Sequence, residues 1–442
     1  MAGRLRRLAG ATLLAGLCAA AWIAPAGEAG QAAGARASSV APMGGVNVTG
    51  VSDSLPLTSV DREVANARAL HAKLVRVEVR WSALEPVGPS QIDARALAYL
   101  DRLVSDAAQS GIRVIATADN TPCWDSSAPA RLLSKCVPGH SSKANVWPPR
   151  DPSAYAGFVA FLAARYGTRL AAIEVWNEPD QANEDYFAGP DKPERYAAVL
   201  RAAYPAIKQV DPSVPVLAGS LVGSNGVFLR ALYAAGIKGY YDGLAVHFYN
   251  LTLASLRAIH EVQLAAGDGT PLWLDEFGWT NCWPHQRIQQ EQGCVTSQVQ
   301  ASNITNLFRS LAHTPYIAAE ALYELQSRAQ EDFGVLTAKE ARKPAFAALS
   351  RVLASPFGRP SPITLRLSRR RGSVMASGAG PVGDYMQLEA LHGGVLRYRA
   401  LFTLDRFNRY SIPLPRVLGT HGLTVRIYQY WAGRGRAAQR SI

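Results

Sequence analysis

Cysteine is scarce, with five in 442 residues, and histidine adds only eight. The two never cluster at the short spacings that zinc ligands need, so no metal site is expected. No glycine-rich loop follows the first predicted strand, which argues against a nucleotide fold and its cofactors. Beyond residue 26 no run is apolar for the roughly 20 residues of a membrane span. Internal repeats are absent. No recognised nucleic-acid motif accompanies the positive charge, which makes nucleic acid a poor partner. Lysine is missing from residue 355 onward, yet that stretch holds fourteen arginines against three acids, a net +11 in a chain whose total is +12. Residues 1–26 carry three more arginines and no acid, so residues 27–354 are close to neutral.

What is present begins with an export pattern. Arg4, Arg6 and Arg7 precede an apolar stretch from Leu8 to Ile23, and Ala24-Pro25-Ala26 supplies small residues for cleavage. Residues 1–26 are expected to be a signal peptide and 27–43 a flexible Gly/Ala/Ser leader, placing the mature protein outside the cell or at its envelope. The apolar stretch is short for an uncleaved anchor. Export permits disulfides, and four cysteines remain after the signal. Four allow three connectivities; the sequence-local pairs Cys123–Cys136 and Cys282–Cys294 need only short loops. Each closure contributes about 3 kcal/mol in the chain-entropy picture.

Eight apolar runs alternate with amphipathic stretches: Gly45–Thr49, Leu74–Trp81, Ile112–Ala118, Ala171–Trp176, Pro215–Leu221, Gly243–Phe248, Pro271–Phe277 and Tyr316–Tyr323. Between them, Ile92, Leu97, Leu100, Leu103 and Val104 fall at helical spacing, and Asp151-Pro152 opens a helix that Gly167 stops. Near-continuous strands alternating with helices imply a parallel sheet buried on both faces. Eight units over residues 44–354 fit a (β/α)₈ TIM barrel. From residue 355 to 442 the pattern becomes apolar/polar alternation in Ile363–Leu367, Val395–Phe402 and Leu423–Tyr430, with turn residues between. This reads as a small, basic, antiparallel β-sandwich-like accessory domain.

Two strand ends carry the chemistry. Ile173-Glu174-Val175-Trp176-Asn177-Glu178-Pro179 is an apolar run stopped by proline, which cannot donate to a sheet ladder. Asn177 and Glu178 therefore sit at a carboxyl end, where barrels of this kind keep their active sites. Pro271-Leu272-Trp273-Leu274-Asp275-Glu276-Phe277-Gly278-Trp279 ends the same way, 98 positions further on. Two glutamates on strand ends suit sugar hydrolysis, one as acid/base and one as nucleophile. Strand alternation sends Asp275 to the side opposite Glu276. Glu85, in the stretch Trp81 to Pro86, reads as structural.

These residues give the chain its resemblance to the clan A retaining glycoside hydrolases, especially families 5 and 39, over most of the barrel. Leu74-Val75-Arg76-Val77 resembles their second strand, Asn177-Glu178-Pro179 their acid/base motif, His247-Phe248-Tyr249 their sixth-strand motif and Glu276 their nucleophile. The resemblance implies a (β/α)₈ fold and double displacement on a poly- or oligosaccharide, with no cofactor. Arg76 would support the Glu276 carboxylate and Tyr249 would donate to it; Asn177 would hold the sugar 2-hydroxyl, and His247 would touch substrate or serve the structure. A nearby anion and a dry setting would keep Glu178 protonated at rest.

Trp81, Trp124, Trp176 and Trp279 fall at predicted mouth loops, where flat rings suit the apolar faces of sugars, although large aromatics also fill cores. Trp124 adjoins Cys123, so the bridges are expected to stiffen loops that hold stacking residues. On that reading, reduction lowers substrate affinity as well as thermal stability. The basic tail serves either solubility or attraction to an anionic wall or capsule glycan. Two rival functions share the scaffold: a catalytically silent glycan-binding or adhesion protein, and a transglycosylase.

Overall fold

The computed structural model describes residues 41–442 except 51–55, 224–225, 250–252, 282–293, 329–330, 358–360, 371, 382–384, 406–407 and 430–436. The expected signal (1–26), nearly all of the leader (27–43) and Cys282 lie outside the described residues.

The eight expected strands all form, each within two residues of the ends read from the sequence. They are β1 (Met43–Asn47), β2 (Leu74–Arg80), β3 (Arg113–Asp119), β4 (Leu170–Val175), β5 (Val216–Leu221), β6 (Gly243–His247), β7 (Leu272–Phe277) and β8 (Ile317–Leu322). They pair in parallel and in chain order, and β1 closes the barrel on β8 from Met43↔Ala319 to Val46↔Leu322. Helix ends follow the capping chemistry. The side chain of Asp93 accepts from the backbone N–H groups of Arg95 and Ala96 to start Ala94–Gln109. Asp151 caps Pro152–Tyr166 with proline at its first turn, and Thr296 caps Ser297–Leu311. Among the described residues no helix is long and apolar enough to cross a membrane.

Period-two alternation decides what each strand shows to the barrel interior. On β2, Val75, Val77 and Val79 face the helices and join the large core cluster, leaving Leu74, Arg76 and Glu78 on the inner row. Leu74 belongs with Ile115, Leu217, Ala245, Trp273 and Ala319 to a separate apolar cluster that plugs the interior. One step toward the carboxyl ends the next inward positions are Asn47, Arg76, Thr117, Glu174, His247 and Asp275, every one buried. The middle layer of this barrel is thus ionic, where branched apolar side chains are usual.

Behind β2–β4 lies an aromatic seam. The Trp81 ring is fully buried, stacked on Phe158 at 5.7 Å, edge-on to Trp124 at 5.3 Å and to Tyr155 at 5.7 Å. Its Nε1 donates to Glu85 Oε2 at 2.8 Å, which gives Glu85 the structural place expected for it. Tyr155 also meets Trp176, whose ring packs edge-on against Phe187 at 5.3 Å. The Cys123–Cys136 bridge forms beside this seam. Cys294 is disulfide-bonded as well.

Among the described residues the tail holds seven strands where the sequence suggested three: β9 (Arg366–Arg370), β10 (Ser373–Ala379), β11 (Tyr385–His392), β12 (Val395–Thr403), β13 (Arg409–Pro413), β14 (Leu423–Gln429) and β15 (Ala438–Ser441). They make antiparallel sheets in the orders β13-β10-β9 and β12-β11-β14-β15, sharing an apolar cluster that includes Val374, Met386, Leu388, Tyr410, Val425 and Ile427. Gly378 lies inside β10. A Cβ there would stand 2.0 Å from the Thr364 carbonyl oxygen, so glycine marks a close backbone approach. The tail touches the barrel through Ser361 N–H, which donates to Asn306 Oδ1 at 2.9 Å, and through Asn408 Nδ2 on Asn303 Oδ1.

Trp81→Ala opens the centre of the seam and strands the Glu85 carboxylate. The expected cost is about 3–5 kcal/mol in chemical denaturation, far above the change for an exposed residue.

Candidate active site

The site is built on Arg76, the middle inward residue of β2. Its Nε lies 2.9 Å from Glu174 Oε2 and 2.9 Å from Asp275 Oδ2. Nη1 donates to Glu276 Oε1 at 2.6 Å and to Asn47 Oδ1 at 3.1 Å, while Nη2 donates to Asn177 Oδ1 at 2.8 Å. Glu174 also accepts from Thr117 Oγ1 at 2.6 Å. Burial pushes the Glu174 carboxyl up, but the Arg76 charge and these hydrogen bonds outweigh it and hold it down at about 2.

Asp275 corrects an expectation. Strict alternation would turn it away from Glu276, yet both carboxylates reach Arg76. The reason is an irregularity in β7: its register shifts between Ala245 and His247 against β6, and between Leu274 and Phe277 against β8. One extra residue at such a break lets two successive side chains share a face. Burial and the neighbouring Glu174 raise Asp275 well above the usual carboxylate range, against the opposing pull of Arg76 and His247.

Glu178 hangs from a sharp turn. Trp176 (φ 75°) and Glu178 (φ 45°) occupy the left-handed region on either side of Asn177. Such residues cost of order 1–3 kcal/mol each and persist where their surroundings over-determine them. Trp176 Nε1 donates to the Tyr186 carbonyl at 2.8 Å, and Pro179 prevents the strand from running on. Glu178 Oε2 accepts from Gln181 Nε2 at 2.8 Å and its Oε1 lies 2.6 Å from His247 Nδ1. The same Nδ1 is 3.4 Å from Glu276 Oε2, which also accepts from the Tyr249 hydroxyl at 3.0 Å. One oxygen from each glutamate and a His247 ring nitrogen all lie within 4.8 Å of one another.

The electrostatics reverse one expectation. Burial pushes Glu178 up, but His247 and Gln181 outweigh it and leave its pKa below the ordinary carboxylate value. Burial pulls His247 down, whereas Glu276, Glu178 and Asp275 together lift it to about 9. Without substrate the shared proton therefore rests on His247, where the sequence reading had placed it on Glu178.

A cavity of about 420 Å³ opens above this centre, with Glu178, Glu276, Tyr186, Tyr249, Tyr323 and Phe333 among its walls. None of the four tryptophans lines it. Trp81 and Trp176 are fully buried, and a ring without an open face cannot stack on sugar, so both are corrected to core residues. Trp124 packs on Trp81 and donates from Nε1 to the Glu85 carbonyl at 2.8 Å; the Cys123–Cys136 bridge thus braces the seam and presents no platform to the cavity. Trp279 packs beside Phe277 on the helix side. Residues the sequence did not single out are Asn47, Thr117 and Gln181. Each lies on a strand-end row or one helical step from a recognised residue, which was the available signal.

Two trios, Glu174–His247–Asp275 and Glu178–His247–Glu276, bring metal-ligand atoms within 4.8 Å of one another. Each contains a carboxylate already paired with Arg76.

A closed parallel barrel with paired carboxyl-end glutamates above a buried arginine defines the class: a clan A glycoside hydrolase. The chain belongs to the family Cellulase (glycosyl hydrolase family 5), whose signature spans residues 38–310. No curated protein matches the sequence. The fold is similar to that of the GH39 enzyme from Xanthomonas axonopodis pv. citri, at 14% identity over 91% of this chain and 96% of that one, TM-score 0.55. It is similar also to a family 39 glycoside hydrolase from Bacteroides cellulosilyticus WH2, at 17% identity over 85% and 80% of the two chains, TM-score 0.52. GH5_18 from Streptomyces cattleya shares it at 19% identity over 73% and 82%, TM-score 0.52. Family membership supports glycosidase activity on a carbohydrate.

The His247–Glu178 pair makes a pH prediction. An imidazolium raised from 6.5 to about 9 adds stability that is complete below pH 6.5 and lost as pH rises to about 9. Across that window the melting temperature of the wild type should fall more steeply than that of His247→Gln, read by scanning calorimetry. Equal slopes count against the assignment.

Proposed function

We propose that the protein is a secreted, retaining O-glycoside hydrolase with Glu276 as nucleophile and Glu178 as acid/base. The observation that carries the reading is the approach of the two carboxylates to within 4.8 Å around one imidazole. Retaining enzymes need about 5–5.5 Å, whereas inverting enzymes leave about 6.5–9.5 Å for a water.

The residues divide the work as follows. Arg76 and the Tyr249 hydroxyl both donate to the Glu276 carboxylate and aim it at the anomeric carbon. As Glu276 forms the ester and the glycosidic C–O bond breaks, the leaving oxygen takes a proton from Glu178, which draws it from His247 across their 2.6 Å contact. The Oδ1 of Asn177 is occupied by Arg76 Nη2 and by Ser220 Oγ at 3.2 Å, which leaves its NH₂ to donate to a sugar hydroxyl. In the second step water attacks the anomeric carbon, gives its proton to Glu178, and Glu276 leaves as the carboxylate.

Export rests on the pattern of residues 1–26, and we extend the reading to the tail. Fourteen arginines and no lysine from residue 355 suit bidentate pairing with carboxylate or phosphate groups of an envelope glycan. High salt should release such binding.

Product anomers followed by NMR during hydrolysis of a polysaccharide panel test the mechanism. The first-formed sugar should keep the configuration of the bond cleaved, and Glu178→Gln should lower turnover of poor leaving groups by roughly 10²–10⁴-fold. Inverted product overturns retention. Tight glycan binding with no cleavage, or full activity in Glu276→Gln, favours a silent binding protein, while longer products at high glycan concentration identify a transglycosylase.

A further inference from the structure

Two acidic side chains of the cavity have no part in the proposed reaction. Glu78 follows Arg76 on the inward row of β2, two positions before Arg80, and Glu331 lies in the segment after β8. Because β8, β1 and β2 are consecutive in the barrel, both stand on one wall of the mouth. Glu78 packs over Gly50, where an added Cβ would come within 3.0 Å of its Oε2; its Oε1 accepts from Asn120 Nδ2 at 3.2 Å. Glu331 Oε2 accepts from the Tyr323 hydroxyl at 3.0 Å. Among the described residues, neither carboxylate has a basic nitrogen within the 4.0 Å of an ion pair.

Two guanidinium groups stand nearby, and three acids, Glu324, Glu331 and Glu78, share the charge of one of them, Arg328. Arg76 is spent on the buried carboxylates, and Arg328 Nε pairs with Glu324 Oε2 at 3.1 Å while its guanidinium lies over the Tyr323 ring at 5.8 Å. The cleft therefore presents surplus negative charge. The Tyr186 hydroxyl registers it: burial first, then Glu178, Glu276, Glu331 and Glu78, push its pKa up. Such a field repels a uronate, gains little from a neutral hydroxyl, and attracts an ammonium, to which a carboxylate also makes the stronger, charge-assisted hydrogen bond.

We propose that the wall formed by Glu78 and Glu331 recognises the ammonium group of a de-N-acetylated amino sugar, so that the glycan bound in this cleft carries free hexosamine units. The proposal rests on the glycosidase reading for what happens to the bound chain, but not for the binding itself.

The test uses the full chain carrying Glu276→Gln and measures binding of β-1,4-linked glucosamine and α-1,4-linked galactosamine oligomers. Their N-acetylated forms and neutral cello-oligosaccharides serve as controls, all by calorimetry at low and high salt. An amine-bearing oligomer should bind at least about tenfold more tightly than its acetylated form, with the margin shrinking in salt. Adding Glu78→Gln or Glu331→Gln should remove most of that margin without moving the thermal unfolding midpoint. The inference is overturned if no amine-bearing oligomer binds, if acetylated or neutral chains bind as well, or if the double Gln variant keeps the preference. Wild-type hydrolysis of the same oligomers separates the two readings. Cleavage confined to acetylated or neutral chains sinks the wall and leaves the glycosidase standing; a salt-sensitive amine preference with no cleavage of any chain does the reverse.

Discussion

Burying a guanidinium is costly unless its donors all find partners, and Arg76 finds them on three strands and in the turn after β4. At 5% exposure it meets Asn47 from β1, Glu174 from β4, Glu276 and Asp275 from β7, and Asn177 just past β4. Arginine suits this position because its planar fork carries five N–H groups in fixed directions; a lysine would supply one mobile point of charge. The contacts couple catalysis to architecture. The same cation that orients Glu276 also neutralises the ionic layer, and removing it would leave several buried carboxylates without compensation.

The layer as a whole holds more acids than cations, and protonation settles the excess. Arg76 holds Glu174 down against its burial, whereas burial and Glu174 push Asp275 well above the usual carboxylate range. His247 takes up a proton because three carboxyl groups surround it. Glu178 thus lies 2.6 Å from the imidazole whose pKa its charge helps to raise. Charge is also segregated along the molecule: the cavity is bounded by glutamates, while the tail is rich in arginine. Opposite fields at two separate places let one chain attract different chemical groups at each.

Much of this was legible in the sequence because barrels impose simple rules. Apolar runs alternating with amphipathic stretches marked every barrel strand, and the motifs around Glu178 and Glu276 marked two ends that meet above Arg76. What escaped depended on departures from regularity. The break in β7 turned Asp275 inward, against the period-two rule that placed it outside. Trp81 and Trp176 sit beside functional residues in sequence but on the outward-facing seam, a distinction that adjacency alone does not carry. In the tail, β10 was hidden because glycine and serine serve there as small strand residues where another backbone comes close. The proton on His247 was illegible for a different reason, since it arises from groups on β4, β6 and β7 that only tertiary structure assembles.

The pairing of β1 with β8 carries a temporal consequence. Met43 and Ala319 are neighbours in the finished barrel but lie at opposite ends of its sequence. A ribosome must therefore release nearly the whole catalytic region before the ring can shut, and contacts of such long range are slow to form. Arg76 and Glu276, 200 positions apart, meet only at that late stage. A nascent polypeptide accordingly has no assembled Arg76–Glu276 pair, and the centre comes into being only as the chain collapses into its final shape.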